Sequence, residues 1–215
     1  MSIFSSYKKI FLLGFIIVIL IAIPLSVYIA QQQQQTKSKA SASTTLSFDP
    51  ASKTINVDEI LTLDIVLDPG TGITANQVSF VKLSISFDPT KFTTVSGSLA
   101  PNITSSAPPQ NTLTSVLEDP VYTSTTASIS LSIGADPTKV VTTKTKIAVL
   151  KLKALSTTEV NSPSLIKFDL GATQILSIAS LDQTSENVLN LVSTTVPATV
   201  TITSALVSTS STPTP

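Results

Sequence analysis

ANQVSFVKLSISFDPTKFTTV, residues 75–95, places Val81, Leu83, Ile85 and Phe87 on one side of an extended chain and Lys82, Ser84 and Ser86 on the other. A period of two sustained over 81–87 is the pattern of a strand with one buried and one wet face. Asp88-Pro89 follows. Proline presets its own φ and the aspartate can bond backbone just downstream, so the pair begins a turn and ends the strand. Phe80 is out of phase with the apolar set and is expected to point toward solvent, beside Lys82.

The same alternation recurs along the chain. Leu61, Leu63, Ile65 and Leu67 alternate with Thr62, Asp64 and Val66; Ala127, Ile129, Leu131 and Ile133 alternate with Ser128, Ser130, Ser132 and Gly134. Ala148, Leu150, Leu152 and Ala154 alternate with Val149, Lys151 and Lys153. Segment 144–155 is built of acceptable helix formers, yet its alternation predicts a strand. Lys144, Lys146, Lys151 and Lys153 would then form a solvated face that discourages edge-to-edge pairing. Shorter strands are expected at 46–48, 54–57, 92–95, 165–170, 175–178 and 196–202. Asp-Pro occurs at Asp49, Asp68, Asp88, Asp119 and Asp136, and each is expected to end a strand. About nine strands with short connections describe an all-β, antiparallel β-sandwich of two sheets, of the jelly-roll kind.

Composition narrows the chemistry. The 215 residues include 13 Lys and no Arg, 13 Asp plus Glu, and no His, Cys or Trp. A His-dependent triad, a His or Cys zinc site and a disulfide framework therefore lack their side chains. Zero net charge provides no field to attract nucleic acid. Ser and Thr number 64 against 12% charged residues, a neutral, hydroxyl-rich surface of the kind carried by exported proteins.

Residues 10–30, IFLLGFIIVILIAIPLSVYIA, carry no charge. At a rise of about 1.5 Å per residue they span roughly 30 Å, the thickness of a hydrocarbon core. They are expected to form one N-terminal transmembrane helix, with Tyr28 at the interface and Pro24 tolerated inside it. A cleaved signal peptide is the competing reading, but the small-residue triplet Ala40, Ser41, Ala42 lies far beyond the apolar run. Either way the remainder is exported. The expected organisation is a cytoplasmic N-terminus (1–9), a signal-anchor (10–30), a polar stalk (31–43), a sandwich (44–203) and a Ser/Thr/Pro-rich tail (204–215). The sequence stops where a linker would begin, which leaves room for a downstream module. The expected location is the cell membrane, single-pass, with the C-terminal domain extracellular.

Three blocks in order resemble a cohesin domain, the nine-stranded jelly-roll module of cellulosomal scaffoldins. Residues 55–67, INVDEILTLDIVL, are similar to its opening strand pair. In 75–95, Phe87, Asp88, Pro89 and Phe92 fall like its aromatic-Asp-Pro strand end and the apolar residue after it. Residues 147–154, IAVLKLKA, are similar to its late strand. The resemblance implies binding rather than catalysis: cohesins grip dockerin modules with one sheet face, including outward residues of the strand that ends at the aromatic-Asp-Pro turn. Here those positions are Phe80, Lys82, Ser84 and Ser86. The chain departs from the family's pattern, since dockerin binders tend to carry acidic or amide groups where Phe80 and Lys82 stand.

The implied function is a membrane-anchored extracellular module that docks a dockerin-like protein partner, in a setting of polysaccharide degradation. Direct polysaccharide binding and a structural spacer role are the alternatives. Sugar platforms favour exposed Trp or Tyr, and the exported part has no Trp and one Tyr, Tyr122. Among its phenylalanines, Phe87 and Phe168 read as core. The carboxylates are scattered, and none forms the D-x-D-x-D-G loop that wraps calcium. This reading calls for no catalytic residue, no cofactor and no metal ligand.

Overall fold

A computed structural model describes residues 44–70, 75–103, 110–159, 161–178 and 190–204. The expected anchor, the stalk and most of the tail lie outside them. Among the described residues no helix is long and apolar enough to cross a membrane.

The described chain is almost entirely strand. In order these are β1 (Thr44–Asp49), β2 (Ser52–Asn56), β3 (Ile60–Asp68), β4 (Val78–Ser86), β5 (Phe92–Pro101), β6 (Ser115–Tyr122), β7 (Thr126–Ser132), β8 (Thr145–Ala154), β9 (Ser164–Phe168), β10 (Gln174–Ser177), β11 (Val192–Val196) and β12 (Ala198–Thr203). Sheet one runs β11-β1-β3-β8-β5. Sheet two runs β2-β12-β9-β4-β7-β6, with β10 also on β4. Alternation places β3, β4, β7 and β8 where it predicts them, β8 in the helix-compatible stretch, whereas 196–202, expected as one strand, is divided at Pro197 between β11 and β12.

Among the described residues twelve strands stand where about nine were expected, and prolines account for part of the difference. Pro50 lies between β1 in sheet one and β2 in sheet two, and Pro197 lies between β11 and β12, which divide between the sheets in the same way. A residue with no N–H cannot continue a central ladder, so the chain changes sheet there. The two crossing segments run side by side, and β1–β11 and β2–β12 are parallel pairings in an otherwise antiparallel fold.

The inward faces form one core. Leu63, Ile65 and Leu150 from sheet one and Leu83, Ile85 and Ile129 from sheet two are buried to within 2%. Phe87 and Phe168 lie in this core as expected, and Phe48 and Phe92 join them. Phe48 of β1 stacks on Phe168 of β9 with ring centroids 4.3 Å apart, so the pair joins the two sheets directly. Val66, level with Ser47 of β1 and Lys146 of β8, is buried at 5% although it stands outside the core cluster, so the outward face of β3 is covered at this point.

At the opposite side, edge strands β5 and β6 are linked by one phenol. The Tyr122 hydroxyl accepts from the Leu99 N–H at 3.1 Å and donates to the Leu99 carbonyl at 3.2 Å. Phenylalanine at 122 leaves both backbone groups unpaired, so Tyr122→Phe should lower stability by about 1–3 kcal/mol, read as a shifted denaturant midpoint. Nearby, β5 leaves the ladder between Thr94 and Leu99. Gly97 supplies the φ of +67° that this excursion requires. The Ser98 hydroxyl donates to the Lys151 carbonyl and accepts from the Val95 N–H, bridging the break.

Two expectations about charge and turns change. Strand β8 lies between β3 and β5, so its lysines guard no edge. Instead Lys146 holds Asp64 at 2.7 Å and Asp49 at 3.0 Å, and Lys153 holds Asp58 at 2.8 Å. Asp119-Pro120 does not end a strand but lies inside β6, an edge strand whose register shifts on either side of Glu118. An edge position asks no ladder hydrogen bond of the proline.

Asp88 and Asp136 each accept from the N–H and hydroxyl of the threonine two residues on, which holds both carboxyls below their ordinary 3.8. Lys146 is raised above 10.5, first by its hydrogen bond to Asp64 and then by that to Asp49. A carboxyl lowered by folding contributes stability above its unfolded value and loses it as pH falls through the folded one. A raised lysine contributes below its unfolded value and loses it as pH rises through the folded one. Stability should therefore be flat through neutrality and decline below about pH 4 and above about pH 10.5, read as denaturant midpoints across pH. A midpoint unchanged down to pH 2 would refute the acid limb.

Candidate docking face

Strand β4 is interior to sheet two, with β7 along one edge and β10, then β9, along the other. Its outward residues fall into rows set by register. Phe80 is level with Ser132 and Leu176, Lys82 with Ser130 and Gln174, Ser84 with Ser128, and Ser86 with Thr126 and Lys167. The structure thus brings Phe80, Lys82, Ser84 and Ser86 onto one strand face, but it does not expose them equally. Lys82 and Ser86 are half-buried. Phe80, expected to point freely into solvent, is also half-buried, and Leu176 of β10 stands level with it.

Ser84 is buried, at 7%, and this corrects its assignment as a free surface group. The chain leaves sheet two between β9 and β10 and returns to the same edge of β4. At the gap, the Asp169 N–H donates to the Ser84 carbonyl at 2.8 Å. The buried Thr173 hydroxyl accepts from the Ser84 N–H and donates to its carbonyl, both at 3.2 Å. One side chain stands in for a missing strand residue. The excursion presents Leu170 at its tip, 58% exposed.

Charge on this face is compact. Lys82 meets Glu118 of β6 at 3.0 Å, and Ser130 of the intervening β7 donates to the same carboxylate oxygen at 2.5 Å. The Ser130 hydrogen bond first, and Lys82 second, hold Glu118 below its ordinary 4.5, so it is ionised throughout the neutral range. Beyond Phe80 the face becomes apolar. Phe80, Leu117, Ile133, Pro137, Leu176 and Ile178 line an open depression of about 440 Å³. Leu117 reaches it from the irregular part of β6 and is 60% exposed.

The sequence reading found Phe80 and Lys82 but missed Leu117, Leu176 and Glu118. Leu117 and Glu118 lie in SVLEDPVY, where Asp119-Pro120 carries the local signal of a strand end. Among the described residues no group of three or more His, Cys, Asp or Glu side chains gathers to hold a metal ion.

No family model matches the chain, and no curated protein matches it. Solved structures do. The cohesin module of a Clostridium perfringens family 33 glycoside hydrolase superposes with a TM-score of 0.52 at 10% identity, covering 77% of this chain and 100% of that one. The sixth cohesin of Acetivibrio cellulolyticus scaffoldin B, solved with a Cel5 dockerin, gives 0.51 at 14% identity over 75% and 100%. The third cohesin ScaC of the same organism, solved with the ScaB dockerin, gives 0.51 at 13% over 74% and 98%. Those modules are matched over 98–100% of their length, and this chain has the cohesin fold.

Proposed function

We propose that this protein is a cell-surface docking module. An N-terminal membrane helix at 10–30 holds it, a short polar stalk carries the sandwich outside, and the outward face of β4, β7 and β6 binds a dockerin-type protein partner. The observation that carries this reading is the makeup of that face. Interior strands β4 and β7 and edge strand β6 together present Ser, Thr, one compact ion pair and an apolar depression. Hydroxyls and apolar side chains are cheap to desolvate, and an apolar patch with a polar surround is the usual anatomy of a protein interface. Two of the cohesins similar in fold were solved with dockerins, which supports the partner class.

The role is non-covalent, with the anchor fixing the partner at the cell surface. Surface plasmon resonance of the full chain against a panel of dockerin modules tests it. Saturable binding of at least one dockerin is expected, together with unchanged mobility in affinity electrophoresis on polysaccharides. Retardation on a polysaccharide with no dockerin bound would replace the reading with glycan binding.

A further inference from the structure

We infer that the end of the sandwich where β4 leaves and β9 enters is a binding pocket for a guanidinium group, brought by another molecule. The pocket stands apart from the docking face and does not depend on it.

Register places its walls. Strands β4 and β9 pair with Ser86 level with Lys167, so Ser164, three residues earlier, falls past the end of β4, beside the Asp88-Pro89 turn. Ser164 is in phase with the buried Ile166 and Phe168, so it points inward between the sheets and not out onto the docking face. The loop before it is folded back, the Ser162 N–H donating to the Glu159 carbonyl at 3.1 Å. Asp88, Lys91, Glu159, Ser162, Pro163 and Ser164, with Thr158, border about 260 Å³ of open space.

Two observations point to a ligand there. Ser164 is only 9% exposed, yet its hydroxyl has no hydrogen-bond partner among the described residues. A buried hydroxyl without a partner costs stability, so one kept at a pocket wall calls for a partner from the pocket side. The second observation is which lining groups are already committed. Lys91 gives its ammonium to the Thr157 carbonyl at 2.6 Å and the Ser156 hydroxyl at 3.3 Å, and neither residue lines the pocket. The Thr158 hydroxyl is engaged with the backbone of Ile202. Asp88 accepts from Thr90 through Oδ1 alone, which leaves Oδ2 open. Glu159 is exposed, and its carboxylate is in no ion pair among the described residues. The open groups are therefore two carboxylates and the hydroxyls of Ser162 and Ser164, all acceptors, on a lining with two negative charges against one positive.

That set fits a guanidinium, which carries five N–H donors in a rigid plane, accepts nothing and is more weakly hydrated than an ammonium. Pro163 offers an apolar wall to its aliphatic stem. A metal ion fits less well. At roughly 30 Å³ per water the space equals about nine waters, so an ion between these two carboxylates would be held largely through solvent. The chain has no Arg of its own to fill the site.

Saturation-transfer difference NMR on the full chain in zwitterionic lipid nanodiscs, with empty nanodiscs subtracted, tests the inference. The ligands are Nα-acetyl-arginine amide, its neutral citrulline counterpart, the lysine counterpart and free arginine. Capped arginine should bind with a Kd of roughly 1 mM, at least tenfold more tightly than citrulline and several-fold more tightly than lysine. Its advantage over citrulline should shrink in high salt. Preference for capped over free arginine assigns the group to a polypeptide, and the reverse preference to a small molecule. Glu159→Gln, at an exposed position, should fold and weaken capped-arginine binding at least fivefold. Ser164→Ala should weaken it about threefold while the denaturant midpoint stays level or rises, because an unpartnered hydroxyl is removed. Absent binding of capped arginine, equal binding of citrulline, or binding untouched by Glu159→Gln overturns the inference. So does a midpoint lowered by Ser164→Ala, which would give that hydroxyl to the fold and not to a ligand.

Discussion

Replacing Phe168 by alanine should destabilise the sandwich by about 3–5 kcal/mol, the cost of truncating a large buried aromatic. The residue is 6% exposed and stacks at 4.3 Å on Phe48, which belongs to the other sheet. Truncation removes the ring's own burial and also leaves the Phe48 ring facing a cavity. The geometry of such pairs contributes roughly 0.5–1.5 kcal/mol beyond area alone. Collapse is a poor remedy, because β9 is pinned between β12 and β4 and cannot move inward without breaking one ladder. A domain of this size has about 5–15 kcal/mol in total, so the variant should melt on the order of 10 °C lower by calorimetry. Phe168→Leu, which keeps most of the volume, should recover the greater part. A loss under about 1 kcal/mol in Phe168→Ala would mean that the two sheets are not held together at this pair.

How far the sequence disclosed this structure follows from which interactions are local. Strands β3, β4, β7 and β8 were legible because a buried sheet face imposes a period of two that composition cannot disguise. Turns after Asp68, Asp88 and Asp136 were legible because the aspartate bonds its own downstream backbone, as it does to Gly70, Thr90 and Thr138. Strand β6 was missed for the complementary reason. At an edge, proline and register shifts are tolerated, so the local signal for a turn and the actual strand coincide. Sheet changes at Pro50 and Pro197 depend on partners more than a hundred residues away, and no window of sequence contains both. The candidate face was read in outline for the same reason. Phe80, Lys82, Ser84 and Ser86 share a face by period alone, whereas the burial of Ser84 depends on Thr173 and the apolar depression on Leu117 and Leu176. None of these three is near β4 in sequence.

Arginine in place of Ser128 should weaken partner docking about 100-fold, equivalent to roughly 2.7 kcal/mol, while folding stability changes little. Ser128 lies on β7 between Ser84 of β4 and Val121 of β6, in the middle of the outward face of sheet two. A long cation there holds a partner surface away and must itself be desolvated if the partner closes over it. The control is Lys151→Glu, on the outward side of β8 in sheet one, which should leave docking unchanged. The asymmetry rests on desolvation. Sheet one commits its outward charges to one another, Lys146 to Asp49 and Asp64 and Lys153 to Asp58, and covering such pairs removes hydration that their attraction restores only in part. Sheet two offers serines, threonines and an apolar depression around a single ion pair, so a partner loses less by covering it. Surface plasmon resonance with any dockerin that binds the wild type reads both variants. Docking lost in Lys151→Glu and kept in Ser128→Arg would move the interface to sheet one, where recognition would have to run through those exposed ion pairs.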